Sequence, residues 1–217
     1  LMKLWKWLFF FTLLTAAAGC QLDSREIDHR TMVLGMAIDK TEEGEFIVTV
    51  QVPVIVPTEG QLGPSEFETL TQTGATVWEA ISNIEAMTPT VLFFGHLKTV
   101  MFGETLAREG IGQVLDMLDR RAPLANQVLL LIIRNRIEAD KFLSQESPLV
   151  NLPALYIERF FKADQKLSRS TDVKLFQYRR DSNLKGNAGL IPLAYSDREN
   201  IFIEDMAVFI KESLLAN

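Results

Sequence analysis

Cysteine is almost absent from this chain: Cys20 is the only one among 217 residues. Without a second thiol no intrachain disulfide can form, so the fold must stand on its core. Histidine is nearly as scarce, with His29 and His96 far apart in sequence. One thiol and two distant imidazoles give no Cys and His cluster of the kind that holds zinc. Neither G-x-S-x-G nor G-x-x-x-x-G-K-[ST] occurs, so the nucleophile turn of hydrolases and the phosphate loop of NTPases are both missing. Internal repeats, low-complexity tracts and long charge runs are lacking too. So is a basic excess: 22 Lys and Arg face 28 Asp and Glu, for a net charge of −6. Such a body is not drawn to nucleic acid or to anionic lipid, which both reward clustered cations.

What is present begins at the amino end. Lys3 and Lys6 precede an apolar run from Trp7 to Ala18, which ends in Gly19 and Cys20. The run is too short to cross a bilayer as a helix, which needs ~20 apolar residues. A basic start, a short apolar region and small residues at its end are the parts of a removable export signal. The "AAGC" at 17 to 20 resembles a bacterial lipobox, with Ala17 where Leu is usual. In such a site the thiol receives a diacylglycerol group and the leader is cut just before it. Residues 1–19 are then the signal peptide, and Cys20 is the modified N-terminus. The plainer reading is an ordinary secretory signal with an incidental cysteine. Each buried acyl CH₂ contributes about 0.8 kcal/mol, and two chains anchor stably where one does so only marginally. Loss of Lys3 and Lys6 takes the net charge from −6 to −8, which leaves attachment to the membrane resting on the lipid at Cys20.

From Cys20 to the end the chain is long enough for one large or two small domains. Residues 30–39 and 45–56 are rich in Val and Ile around the polar "KTEEGE", which predicts a hairpin. Pro53 predicts that the later half of the second strand lies at an edge or leaves the sheet. Residues 57–66, with two Pro and two Gly, predict a mobile loop. A strand is expected over 67–74. Val77, Ile81 and Ile84 then give a helix of about three turns that stops at Pro89. Residues 97–103 predict a buried strand, and 104–120 a helix broken near Gly110 and Gly112. The apolar run within 126–135 suits a strand covered on both faces. Helices are expected in 136–145, 152–164 and 171–180, and strands in 189–196 and 200–210. Strand and helix alternate, so the fold class is α/β: a mixed β-sheet flanked by α-helices.

The lipobox Cys followed by "DSREID", then "VLGMAIDK", then "FFGHLKTVMFGETLAREGIGQVLDMLDRR", and finally "LIPLAY" with "IFIEDMAVFI", is similar to the Ger(x)C family. These are the C subunits of the nutrient germinant receptors of endospore-forming bacteria. The resemblance runs in order through nearly all of the chain beyond the leader, and its strongest piece is Gly95, His96, Leu97 and Lys98 with the following "GETLAREGI". It implies a noncatalytic lipoprotein on the outer face of the spore inner membrane. It also implies polytopic A and B subunits as partners in a complex thought to sense amino acids, sugars or nucleosides. Family members are commonly longer, so 20–217 is expected to be the N-terminal domain without the family's further domains. No cofactor is implied.

Individual residues carry less. His96 is expected either to be a partly buried ring satisfied by backbone, or to belong to a subunit contact that weakens on protonation near pH 6 to 7. Glu26 and Asp28, close to the anchor, either orient the tether, cap the first element or share in a subunit contact, or are solvated charges beside Arg25 and Arg30, each such surface pair adding roughly 0–1 kcal/mol. Asp39 is expected to accept backbone N–H bonds in the hairpin turn. Arg120 and Arg121 close a helix and suit its negative end. Three functions were open to such a chain: a lipid-anchored receptor subunit, a stand-alone solute-binding lipoprotein, which normally needs two lobes, and an exported enzyme, for which no catalytic constellation is visible. The first accounts for the residues best.

Overall fold

The computed structural model describes residues 30–54, 66–120, 127–134, 139–144, 153–163, 170–184, 186, 188–197 and 200–215. The unit Thr31–Asn217 carries the fold. Its strands in chain order are β1 (Arg30–Met32), β2 (Gly35–Lys40), β3 (Phe46–Val54), β4 (Glu66–Gly74), β5 (Val91–Phe93), β6 (Thr99–Gly103), β7 (Leu129–Ile133), β8 (Ala188–Asp197), β9 (Asn200–Ile210) and β10 (Ser213–Leu214). The helices are α1 (Val77–Glu85), α2 (Glu104–Glu109), α3 (Gly112–Arg120), α4 (Ala139–Ser144), α5 (Pro153–Lys162) and α6 (Leu175–Leu184).

Eight strands form one mixed sheet in the order β10-β9-β8-β7-β6-β2-β3-β4, and β1 and β5 form a separate pair. The central neighbours β2–β6, β6–β7 and β7–β8 are parallel, and the flanks are antiparallel. Side chains alternate between the two faces of a strand, and here both faces are buried. Met36, Ile38, Val100, Phe102, Leu130 and Ile132 point to one side, where they pack with Ile81 and Ile84 of α1, Leu106 of α2, Leu115 of α3 and Tyr178 of α6. Ala37, Met101, Leu129, Leu131 and Ile133 point to the other, against Phe142 and Leu143 of α4 and Ile157 of α5. The α/β expectation is met as a sheet between two helical layers.

The broken helix and the doubly covered strand stand where the sequence put them, and the hairpin forms as β2–β3, with only Gly35–Lys40 as its first arm. Thr41 and Glu45 close the β2–β3 turn with an N–H to carbonyl bond of 2.9 Å, and Gly44 supplies the positive φ of 86°. Pro53 lies beyond the last β2 partner and pairs with Phe67 of β4 alone. Tertiary contacts dock the break between α2 and α3 that its glycines open. Gly110 adopts a φ of 128°, and the Ile111 N–H donates to the Glu212 carbonyl at 2.9 Å. A Cβ on Gly112 would lie 1.9 Å from the Glu212 carboxylate. Arg179 ties the same carboxylate, at 3.0 Å, to Asp116 of α3, at 2.7 Å.

Other expectations need correction. Residues 30–39 form two strands in different sheets, because β1 pairs with β5. The helix expected over 171–180 starts only at Leu175, since 171–174 run extended and Lys174 bridges Leu129 of β7. Asp39 does bond the Lys40 N–H, at 2.9 Å, but its second donor is Leu106 N–H, at 3.1 Å. It therefore caps α2 from a distant strand instead of closing its own turn, an anion at a helix N-terminus. Strands β5 and β10 were not foreseen. The loop expected at 57–66 lies outside the described residues except for Glu66.

Candidate functional site

Of the residues singled out for function, Cys20, Glu26 and Asp28 lie outside the described residues, and so does Arg121; Arg120 ends α3 as expected. His96 sits at the end of a short 3₁₀ turn, Phe94–His96, between β5 and β6. A Cβ on Gly95 would come within 2.5 Å of the Phe93 ring and displace it. The imidazole is exposed, not partly buried, and it meets the edge of Phe93 at 6.0 Å between centroids and 63° between planes.

His96 opens onto a cleft of about 270 Å³ at the amino ends of β6 and β7, walled by Lys98, Leu129, Glu158, Phe161, Lys162 and Lys174 among others. The strands place Lys98 and Leu129 because Lys98 N–H donates to the Leu34 carbonyl at 2.8 Å and its carbonyl accepts from Leu129 at 2.9 Å. On α5, Glu158 and Lys162 stand one turn apart, which suits an ion pair. Glu158 reaches Lys162 at 2.8 Å and Lys98 at 3.5 Å. Burial pushes its carboxyl upward, but the bond from Lys162 and the charges of Lys98 and Lys162 outweigh that and hold it below its ordinary value of 4.5. Neither Lys174 nor Asp172 has an ion-pair partner among the described residues. The cleft thus gathers three Lys and two carboxylates beside Leu129 and Phe161, with Lys98 and Lys162 already paired to Glu158. Glu158, Lys162 and Lys174 were not singled out beforehand. The Glu158–Lys162 spacing was readable, but the approach of Lys98 and Lys174 depends on how the sheet and α5 pack. Among the described residues, no three His, Cys, Asp or Glu side chains gather as metal ligands, and no helix is long and apolar enough to cross a membrane.

Residues 23–194 match the family described as the spore germination protein N-terminal domain. The chain belongs to this family. Two curated relatives come from Bacillus subtilis (strain 168). YfkR, provisionally named as a spore germination protein, is 26% identical over 212 residues, taking in 91% of this chain and 53% of YfkR. Spore germination protein B3 is 32% identical over 139 residues, 63% of this chain and 36% of B3. This member of the family therefore spans about half the length of the first relative. The crystal structure of the GerBC protein aligns with 83% of this chain and 50% of its own at 20% identity, with a TM-score of 0.40.

Proposed function

We propose that this spore germination domain is a lipid-anchored, noncatalytic subunit of a nutrient germinant receptor. The observation that carries the reading is the family match over residues 23–194 directly after a lipobox-like "AAGC". In it, residues 1–19 are the leader, 20–217 form the N-terminal domain, and acyl chains on Cys20 hold it to the outer face of the spore inner membrane. Polytopic A and B subunits are its partners. Tethering raises their effective concentration, so weak contacts suffice for assembly. The exposed His96 at the mouth of the charged cleft is the described part of the proposed subunit contact, and Glu26 and Asp28 near the anchor complete it.

The test is a pull-down from spore membranes with the anchor intact, expected to bring down two multi-span proteins. Cys20→Ala is expected to leave the domain folded while lowering its membrane-bound fraction and the germination response. Mass analysis that finds the Cys20 sulfur unmodified, with the leader cut elsewhere, would overturn the anchoring. A lipidated protein that brings down no multi-span partner would overturn the receptor role.

A further inference from the structure

The eight-stranded sheet is split between β7 and β8. Strands β6 and β7 pair over five residues, Thr99–Gly103 against Leu129–Ile133. β7 meets β8 only at Ile132–Leu193 and Ile133–Ala194. Over Ala188 to Pro192, β8 continues with β9 as its only strand partner among the described residues. Residues 171–174 take the vacated place on β7, where the Leu130 N–H donates to the Val173 carbonyl and the Leu175 N–H to the Val128 carbonyl, both at 2.9 Å. A gap of about 420 Å³ lies between the two backbones, with Thr171, Asp172 and Val173 on one bank and Ala188, Gly189 and Leu190 on the other. Gln177, Tyr178, Arg180 and Asp181 of α6 run along its wall.

The phase of each bank follows from its hydrogen bonds. The Ala194 carbonyl accepts from Arg134 N–H at 2.8 Å, so Ala194 faces β7. Backbone groups alternate sides along a strand, which turns Pro192, Leu190 and Ala188 toward the gap. The far strand agrees: the Val208 carbonyl accepts from Leu215 on its outer side, leaving Ala207 and Phe209 to pair with Ile191 and Gly189. Pro192 has no N–H to give, so the ladder with β7 stops beside it. Across the gap Val173 faces β7, and Asp172 is turned inward. No described residue bonds the backbone groups of Ala188, Leu190 or Asp172 that point into the gap.

We infer that this gap is a strand-addition site that takes an extended segment of another protein. Unpaired, water-reached backbone edges are templates for a further strand. The three residues on each bank match a run of three to four extended residues at about 3.3 Å each. The mouth sets the side-chain chemistry. Leu190 is 48% and Val208 43% exposed; they are cross-strand partners, and with Met206 they line the gap. The incoming strand accordingly carries apolar, β-branched residues at alternate positions. A Lys or Arg beside them meets Asp172, whose carboxylate has no partner among the described residues.

The probe is the capped hexapeptide Lys-Val-Thr-Val-Thr-Val, with the same peptide N-methylated at its central residues as control. Amide exchange of the full chain reads the result. With peptide about ten times above its Kd, exchange at Ala188 and Leu190 is expected to slow about tenfold, with a Kd of about 1 mM or tighter. Leu190→Pro removes the gap-facing N–H but none of the bonds to β9, and it is expected to abolish the slowing. If that variant does not fold, the N-methylated peptide puts the same question to the unaltered protein. Equal binding of both peptides, or no slowing at Ala188 and Leu190, overturns the inference. Self-association that closes the gap with a second copy overturns it as well.

Discussion

At the scale of single residues, Tyr178 shows what tight packing leaves unsatisfied. Its ring lies against the backbone of Gly189, where a Cβ would come within 2.4 Å, and stands edge-on to Phe209. The hydroxyl is buried with no hydrogen-bond partner among the described residues, and burial together with the charge of Glu212 pushes its pKa above the ordinary 10.0. A buried polar group without a partner costs about 1–3 kcal/mol. Tyr178→Phe is therefore expected to raise stability by about 1 kcal/mol, read as a higher midpoint in urea; a lower midpoint would sink this account. Glu158 gives the opposite sign of lesson. Its folded pKa is lowered, so its pairing with Lys98 and Lys162 contributes fully above 4.5 and is lost as the pH falls through the lower folded value. A carboxyl NMR titration is expected to place its midpoint below 4.5, and Lys162→Met to move it upward. The i,i+4 pair on α5 was visible in the sequence, whereas the orphaned phenol depends on which strand Tyr178 meets.

At the scale of elements, one side chain clips two helices to the sheet. Gln51 is fully buried on β3; its amide donates to the Leu143 carbonyl at 3.0 Å and accepts from the Ala154 N–H at 3.2 Å. It satisfies the end of α4 and the start of α5 together, two places where backbone groups lack helical partners. Gln51→Leu fills the space but strands both groups, and is expected to cost about 3 kcal/mol, measured by urea unfolding; a change below about 1 kcal/mol would refute the clip. In the sequence, Gln51 merely alternates with Val50 and Val52 beside Ile47 and Thr49. Its alternation was local and readable, but both partners lie about a hundred residues away. The stretch 171–174 departs from its expected helix for a related reason: pairing with β7 holds it extended against its helical pattern.

At the scale of the whole molecule, stability should be graded across the sheet. β6 and β7 are buried on both faces and have strand neighbours on both sides, whereas β10 and β4 are edges. Amides of β6 and β7 are expected to exchange only by global opening, and those of β10 by local fraying. Uniform exchange across the sheet would refute this gradient. The parallel centre joins segments far apart in the chain, so its stability depends on the closure of long loops.

Local pattern by itself determined the α/β class, the β2–β3 hairpin, the break at Gly110 and Gly112, and the double burial of β7. Each rests on periodicity, turn chemistry or composition within a dozen residues. Only the tertiary structure decided that Asp39 caps α2, that Glu212 docks the α2–α3 break, and that Pro192 lies where β8 parts from β7. Those outcomes depend on backbone and carboxylate groups finding partners across the sheet, and a one-dimensional pattern encodes the need for a partner but not its address.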